Sequence, residues 1–239
     1  MPFHFQEGEV LLIDKPLEWT SFDVVNFVRV FIRRMYGIKK LKVGHAGTLD
    51  PMATGLLILC TGKKTKEIDA YQGMDKVYEG VLQLGATTPS FDSETEVDKT
   101  FDISGIELPQ MKETASKFVG EIDQIPPLYS AIKIKGERAY NLVRKDKEVE
   151  LKPRKVRIHS FDILSFDAPE VAFYVQCSKG TYIRSLVRDF GEQLNNGAHL
   201  KALKRTQIGD YKLSDAWSLE DFKKQIMLET GNTEESGLN

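Results

Sequence analysis

The sequence has few of the residues that build disulfide frameworks and metal sites. Its 239 residues include two cysteines, Cys60 and Cys177, which lie far apart and form no Cys-x-x-Cys pair. The four histidines are scattered without metal-ligand spacing. We therefore expect no disulfide framework and no metal site, and a reducing cytoplasm suits the chain. No pattern typical of a cofactor site is found either, so no cofactor is expected.

Long apolar runs are also missing. The longest is LLILC at residues 56–60, which is too short for a transmembrane helix. The first ten residues show no basic region followed by an apolar one, the pattern of a secretory signal. These two absences predict a cytoplasmic protein that does not interact with membranes.

A phosphate-binding loop is suggested by GLLILCTGKKTK at residues 55–66, but the spacing excludes it. Leu57 stands where the first glycine of the pattern is required, and Lys64 stands where Ser or Thr would bind magnesium. A nucleoside-triphosphate site of this type is therefore not expected.

The charges nearly cancel, with a net charge of −2, but they are segregated along the chain. Residues 24–49 hold six cations and no acid, and residues 131–160 hold ten cations against four acids. Residues 86–125 hold nine acids against three lysines. Such segregation is compatible with a polyanionic partner. Charge alone nevertheless favours the simpler interpretation that these runs are solvated helix faces.

The hydrophobic pattern predicts strands and helices without regular strand–helix alternation. A helix is expected from Ser21 to Gly37, capped by Thr20 or Ser21. The remaining predicted elements are strands at 9–14, 56–62, 76–85, 155–167 and 171–178, helices at 63–72, 108–120 and 181–194, an acidic loop at 86–105, a projecting arm at 124–160, and a polar, frayed C-terminal end. This mixture favours an α+β fold around a mixed or antiparallel sheet.

The stretch GHAGTLDPMATG at residues 44–55 carries the clearest chemical signal. Its glycines leave room for a ligand or another backbone to approach closely, and Pro51 restricts the conformation of Asp50. A carboxylate held in such a bend is a candidate nucleophile or base. The alternative is a structural turn in which Asp50 is a cap.

This stretch closely resembles the catalytic motif of the TruB-type tRNA pseudouridine synthases. Five further segments resemble other motifs of that family in the same order, and together the match runs from about residue 8 to about residue 225. They are LLIDKPLEWTSFDVV, KVYEG, PPLYSAIKIKGERAYNLVR, KGTYIRSLVRDFG, and AHLKALKRTQIG. One departure is Glu18, where the family often has glycine, which puts the local loop geometry in doubt.

The resemblance implies the pseudouridine synthase fold, a tRNA substrate modified at uridine 55 of its T arm, and a set of site residues. Asp50 corresponds to the catalytic carboxylate, Arg184 to the arginine that pairs with it, and Tyr78 to the active-site tyrosine. His45 corresponds to the residue that fills the space of the flipped base, and Tyr182 and Leu203 to residues lining the uracil pocket. Without the resemblance, Arg184 would be taken as a solvent-facing arginine. Tyr78, Tyr182 and Leu203 would be taken as core residues, and His45 as a loop histidine with one backbone hydrogen bond.

The resemblance also implies how RNA is held. Lys66 and the cations of an insertion at about 124–155, including Lys133 and Arg138, are expected to contact phosphates. We expect a monomer with one catalytic domain over residues 1–239, an acidic tail at about 226–239, and no C-terminal PUA domain.

Two other function classes remain open from the residues alone. A phosphotransferase using an aspartyl phosphate on Asp50 would need magnesium-binding carboxylates, and no Asp-x-Asp pattern follows Asp50. An RNA chaperone that refolds tRNA would use the basic arm without Asp50, and that role is compatible with catalysis. The sequence also leaves open whether Asp50 attacks C1′ or C6, or promotes elimination to a glycal.

Overall fold

The fold is given by a computed structural model that describes residues 3–129, 133–134, 137–138 and 151–231. The helices in these residues are α1 (Ser21–Met35), α2 (Ile68–Gly73), α3 (Leu108–Ser116), α4 (Ile183–Gln193) and α5 (Leu219–Thr230), with 3₁₀ helices at Gly62–Glu67 and Leu213–Asp215. The strands are β1 (Val10–Lys15), β2 (Val43–His45), β3 (Ala53–Thr61), β4 (Lys76–Leu84), β5 (Ala86–Thr87), β6 (Lys99–Thr100), β7 (Gly120–Gln124), β8 (Lys133–Ile134), β9 (Glu137–Arg138), β10 (Arg154–Asp167), β11 (Glu170–Cys177), β12 (Ala198–Ile208) and β13 (Tyr211–Lys212).

The chain forms two compact units. The first unit comprises the described residues up to Met74 together with those from Lys204 onward, and the second unit comprises Asp75–Leu203. Strand β12 therefore contributes its first residues to the second unit and its last residues to the first.

In the first unit, helices cover a small sheet. Strand β3 is antiparallel to β1 and to β2 and also neighbours β12, while β13 is antiparallel to β12. Side chains from β1, β3, α1 and α5 form one continuous apolar core, which includes Ile13, Val24, Val28, Ile32, Leu57, Leu59, Phe222 and Ile226. Burying this apolar surface is what holds the two helices on the strands.

Helix α1 confirms its sequence prediction and settles its cap. Thr20 is the N-cap: its side chain accepts a hydrogen bond from the Asp23 amide at 3.0 Å, and Asp23 accepts one from the Thr20 amide at 2.9 Å. This is a capping box, which satisfies otherwise orphaned backbone donors. Ser21, the other candidate cap, is instead buried at 2% exposure. Gly37 follows the helix in the left-handed conformation, with φ of 64°.

In the second unit, the strand order is β12–β4–β11–β10–β7, and the pairs β4/β11, β11/β10 and β10/β7 are antiparallel. Aromatic rings cluster in its core, where the Phe161 centroid lies 5.9 Å from that of Phe173 and 5.5 Å from that of Phe190. The predicted α+β class with a mostly antiparallel sheet is confirmed in the described residues.

Several predicted element boundaries were wrong. The helix expected at 63–72 is a 3₁₀ helix over Gly62–Glu67 followed by the six-residue α2. The helix expected at 108–120 ends at Ser116, because the chain then enters β7 at Gly120. The acidic loop at 86–105 contains the short antiparallel pair β5/β6.

Two further errors come from burial that the pattern did not reveal. Strand β4 was expected to be half-buried, but its first three residues, Lys76, Val77 and Tyr78, are all buried. Helix α5 was not predicted at all. Its only buried residues are Phe222 and Ile226, four positions apart, so the apolar signal was too sparse among polar residues to stand out. The predicted frayed end lies, from residue 232, outside the described residues.

The base of the predicted arm is part of the sheet. Arg154 of β10 lies opposite Gln124 of β7, and the short strands β8 and β9 pair antiparallel. Of the arm predicted at 124–160, residues 130–132, 135–136 and 139–150 lie outside the described part, so its projection stays a prediction. Among the described residues no helix is both long and apolar enough to cross a membrane.

Candidate active site

Asp50 lies in the turn between β2 and β3, and this turn is held by its own backbone and by three buried side chains. The Ala53 amide donates to the Asp50 carbonyl at 3.0 Å, which closes the turn. Asp50 itself is half-buried, whereas its neighbour Leu49 is buried. The turn is therefore closed by a backbone hydrogen bond, and Asp50 remains partly exposed.

Ser21 fixes the residue that precedes Asp50. Its hydroxyl accepts a hydrogen bond from the Leu49 amide at 2.8 Å and donates one to the Leu49 carbonyl at 3.1 Å. Both bonds are buried, and buried hydrogen bonds of this kind are costly to break. The first turn of α1 thus positions the peptide next to the predicted catalytic carboxylate.

Lys15 fixes the residue that follows Asp50. Its Nζ donates to the carbonyls of Trp19 at 2.6 Å, Pro16 at 2.9 Å and Pro51 at 3.4 Å, and the side chain is fully buried. Burial lowers the pKa of Lys15 to about 8, and the nearby charge of Asp50 opposes that shift. At neutral pH Lys15 is therefore mostly charged and adds positive potential close to Asp50.

Arg205 of β12 holds the other side of the turn. It is 1% exposed, and its guanidinium donates to the carbonyls of Leu56 at 2.8 Å, Gly47 at 3.2 Å and Thr48 at 3.4 Å. Gly55 has φ of 103°, and a Cβ there would lie 2.3 Å from the Arg205 carbonyl oxygen. Only glycine permits this approach, which explains one glycine of the motif.

His45 and Lys66 are the other predicted site residues of the first unit. His45 ends β2 and is half-buried, and burial lowers the pKa of its imidazole, which is therefore mostly neutral at pH 7. Its Nδ1 is buried and has no hydrogen-bond partner among the described residues. Lys66 is exposed on the 3₁₀ helix. Asp50 thus lies in the turn that begins after His45, while Lys66 is placed after β3.

In the second unit, Arg184 is buried in the first turn of α4, so its interpretation as a solvent-facing arginine was wrong. It is 4% exposed, and its Nη1 lies 3.3 Å from Asp92 Oδ2 and 3.2 Å from the Ser90 carbonyl oxygen. Its Nη2 donates to the Tyr129 carbonyl at 2.9 Å. Such a set of acceptors fixes the plane of the guanidinium.

Asp92, which was not predicted from the sequence, is the acidic partner of Arg184. It is 5% exposed, and its Oδ1 accepts hydrogen bonds from the Ser90 hydroxyl at 2.5 Å and the Glu94 amide at 3.0 Å. A buried carboxylate with these partners helps to fix the orientation of the Arg184 guanidinium. Asp92 was concealed because it lies among the other acids of residues 86–105, which were interpreted together as a loop.

Tyr182 is the N-cap residue of α4 and is held on its backbone and on its ring. The buried amide of Gln124 accepts from the Tyr182 N–H at 2.8 Å and donates to its carbonyl at 3.1 Å. The Arg154 guanidinium carbon lies 4.5 Å from the centroid of the Tyr182 ring, within the range of a cation–π interaction. The role of Gln124 was not predicted from the sequence.

Tyr78 and Leu203 lie on neighbouring strands of the second unit. Tyr78 of β4 is 7% exposed, which agrees with an enclosed site and equally with a core position. Leu203 of β12 is half-buried, as is Tyr182, so neither is an ordinary core residue. For Lys133 and Arg138 only the backbone pairing is described, and their side chains lie outside the described part.

No group of three or more His, Cys, Asp or Glu side chains within residues 3–129 and 151–231 is arranged to hold a metal ion. The chemistry that the described residues offer is that of a carboxylate in a rigid turn, two buried cations beside that turn, and an arginine oriented by a buried aspartate.

Comparison with known proteins identifies the class. Residues 33–183 match the family described as "TruB family pseudouridylate synthase (N terminal domain)". Residues 184–239 match the "tRNA pseudouridylate synthase B C-terminal domain". The chain is therefore a pseudouridylate synthase, an enzyme of the isomerase class.

Curated relatives narrow the class to one family. The tRNA pseudouridine synthase B of Phocaeicola vulgatus is 54% identical over 223 residues, which cover 93% of this chain and 95% of that protein. The protein of the same name from Flavobacterium johnsoniae is 50% identical over 226 residues, 94% of this chain and 99% of that one. The chain belongs to the TruB family of tRNA pseudouridine synthases. This membership decides against the phosphotransferase alternative.

Solved structures support the fold. A chain from the "Crystal Structure of a Cbf5-Nop10-Gar1 Complex" superposes with a TM-score of 0.71 at 28% identity and covers 97% of this chain. This chain spans 58% of that protein. A chain from an H/ACA RNP "bound to a substrate RNA containing 2'-deoxyuridine" gives a TM-score of 0.68 at 25% identity, and there the match spans 97% of this chain and 57% of the other. The predicted pseudouridine synthase fold is confirmed.

Proposed function

We propose that this enzyme converts the uridine at position 55 in the T arm of tRNA to pseudouridine, with Asp50 as the catalytic carboxylate. Family membership supports the reaction. The assignment of Asp50 rests on the turn around it. Ser21 is hydrogen-bonded to the preceding residue, Leu49, and Lys15 to the following residue, Pro51. Such preorganisation is what a catalytic group requires and a simple turn does not.

The reaction needs only the atoms of the nucleotide and water. The C1′–N1 bond breaks, the uracil rotates, and a C1′–C5 bond forms. The hydrogen on C5 leaves to solvent and N1 gains a proton, so there is no net oxidation or reduction. One ionised carboxylate can serve as the nucleophile, toward C1′ or C6, or as the base in a glycal route.

Each remaining site residue has a proposed role. Arg184 pairs with Asp50 and favours its ionised form, and the Asp92 contact keeps its guanidinium oriented. Tyr78 stacks on the target base and assists the late proton removal. Tyr182 and Leu203 line the uracil pocket. A neutral His45 stacks in the space vacated by the flipped base, which offsets part of the cost of flipping.

RNA is proposed to be held by cations outside the catalytic turn, namely Lys66 and the arm residues Lys133 and Arg138. We propose that the enzyme acts as a monomer in the cytoplasm and that the chain functions as a single catalytic domain. Its cysteines support a reducing compartment, since Cys60 and Cys177 are both free thiols in buried positions.

Release of tritium tests this function. Unmodified tRNA carrying tritium at C5 of uridine is incubated with the wild-type enzyme and with Asp50→Asn. The wild type should release one tritium per tRNA, and a tRNA with cytidine at position 55 should release none. Asp50→Asn should bind tRNA with unchanged affinity and release none. Turnover by that variant would contradict the assignment of Asp50, and release from the cytidine-55 tRNA would contradict the position.

A further inference from the structure

Two arginines of α4 contact one loop of the second unit. Arg184 and Arg188 are four residues apart and therefore lie on the same side of the helix. Arg184 contacts Ser90 and Asp92. The guanidinium carbon of Arg188 lies 4.6 Å from the centroid of the Phe91 ring, so three consecutive loop residues contact the helix.

The loop adopts a strained conformation at its centre. Phe91 has φ of 63°, a left-handed conformation that is unusual for a bulky residue and marks positions with a special role. The conformation is held by hydrogen bonds from the Phe91 amide to the Thr88 carbonyl at 3.1 Å and from the Leu200 amide to the Phe91 carbonyl at 3.0 Å. The side chains of Ser90 and Asp92 are buried, whereas that of Phe91 is only half-buried.

Arg188 is itself held in a fixed plane. Its Nε donates to Asp189 Oδ1 at 2.7 Å, and its Nη2 lies 2.5 Å from the same oxygen. With Asp189 fixing the guanidinium, its central carbon lies over the Phe91 ring. A cation in this position is attracted by the face of the aromatic ring.

We propose that Phe91 and Arg188 are a pair of positioning residues for the reaction. Their cation–π contact closes the strained loop onto α4, and the loop in turn holds Asp92 against Arg184. Neither residue needs to touch the substrate. The inference rests on the proposed role of Arg184 and adds to it a second contact, one helical turn further on, that determines how firmly Arg184 is oriented.

The test compares Phe91→Ala with Phe91→Trp, which keeps an aromatic face. Single-turnover rates are measured at saturating tRNA, and tRNA affinity is measured separately. Phe91→Ala should lower the rate about 2- to 30-fold, the range expected for one cation–π contact, and leave the affinity unchanged. Phe91→Trp should retain most of the rate. Hydrogen exchange at the amides of Phe91, Ser93 and Leu200 should accelerate in Phe91→Ala only.

A double-variant cycle tests whether the two side chains act as one. Arg188→Gln should lower the rate by a similar factor, and Phe91→Ala combined with Arg188→Gln should be no slower than either alone. An unchanged rate in Phe91→Ala, or fully multiplicative effects, would overturn the proposal. A loss of tRNA affinity at an unchanged rate would also overturn it and would make the Phe91 ring an RNA contact.

Failure of this inference is separable from failure of the proposed function. If Asp50→Asn and Arg184→Lys are inactive while Phe91→Ala has the wild-type rate, only the positioning pair is wrong. If Arg184→Lys keeps the wild-type rate, the charge at this position suffices, the orientation of the guanidinium is not needed, and the positioning pair is wrong.

Discussion

Two buried cations of the first unit bond to peptide carbonyls of the turn around Asp50. Lys15 and Arg205 together contact the carbonyls of Gly47, Thr48 and Pro51, which lie on both sides of Asp50. Hydrogen bonds from ionised donors are stronger than neutral ones, and inside a protein they are screened less by water. The two cations therefore rigidify the turn and raise the electrostatic potential around the carboxylate.

Replacement of Arg184 by lysine should separate the effect of the positive charge on the rate from the effect of the guanidinium geometry. Lysine keeps the positive charge but lacks the planar fork that reaches Asp92 and two carbonyls. We expect single-turnover pseudouridine formation at saturating tRNA to fall by about 100-fold, the usual effect of a small misplacement in an active site. Arg33→Lys, at an exposed position of α1, is the control and should keep the wild-type rate. A wild-type rate in Arg184→Lys would show that charge alone suffices.

Glu18 stands where the family often has glycine, and its backbone shows the structural effect of that difference. Its φ of 67° is the left-handed conformation that glycine prefers, and its amide still donates to the Pro51 carbonyl at 2.8 Å. The loop therefore keeps a conformation suited to glycine, and the strain at Glu18 lowers the free energy of unfolding. Glu18→Gly should relieve about 1 kcal/mol of steric strain, partly offset by backbone entropy. We expect Tm to rise by a few degrees at most, about 2–4 °C per kcal/mol.

Glu18→Ala is the matched control, because alanine loses the carboxylate but keeps the Cβ that causes the strain. Its Tm should stay near that of the wild type. If alanine and glycine raised Tm equally, the effect would come from removing the charge, and the left-handed conformation would not be the cause.

At the scale of elements, Lys15 at the end of β1 is a titratable group that bonds to the turn around Asp50. Burial lowers the pKa of Lys15 to about 8, whereas an unfolded lysine titrates near 10.4. Between these two pKa values the unfolded chain binds more protons than the folded one. The contribution of Lys15 to the free energy of unfolding therefore increases as pH rises. Below pH 8 both states are protonated, and its contribution is constant.

Lys15→Met removes this titration. The difference in Tm, wild type minus variant, should therefore increase between pH 8 and pH 10, by about 2–4 °C for each kcal/mol of linkage. Lys42→Met, at an exposed lysine of the same unit, should show no such pH-dependent difference. If the difference in Tm stays constant or decreases with pH, the lowered pKa of the buried Lys15 is contradicted.

The elements also show where sequence reasoning succeeds. Helix α1 was predicted because its apolar residues recur every three or four positions and its cap is a local pattern. The roles of Ser21 and Arg205 were not predicted, because they depend on partners far away in sequence. Ser21 bonds Leu49, and Arg205 bonds Gly47, 158 positions earlier. No periodicity records such contacts.

At the scale of the whole molecule, the predicted site residues come from both compact units. Asp50, His45 and Lys66 belong to the first, whereas Tyr78, Arg184, Tyr182 and Leu203 belong to the second. Composition and spacing singled out Asp50 alone, and the resemblance supplied the others. Asp92 and Gln124 needed the structure, because their importance comes from being buried against Arg184 and Tyr182.

The arm at about 124–155 is expected to supply phosphate contacts, and its base is built into the second unit. Gln124 lies opposite Arg154 in the sheet, so both ends of the arm are anchored, and Gln124 also holds the backbone of Tyr182. We expect the triple variant Lys133→Gln, Lys135→Gln, Arg138→Gln to bind tRNA more weakly. Its plot of log affinity against log salt concentration should flatten by about 0.7–0.9 for each phosphate that the variant no longer neutralises.

The chemical step should respond differently, because Asp50 and its buried supports are unchanged in this variant. Its single-turnover rate at saturating tRNA should stay within about threefold of the wild type, since phosphate contacts position the RNA without reacting. The matched control neutralises Arg33, Lys39 and Lys40, three exposed cations of residues 24–49. If the control flattens the salt dependence and the arm variant does not, the basic stretch at the end of α1 is the RNA-binding surface, because only groups that displace counterions from the RNA can change that slope.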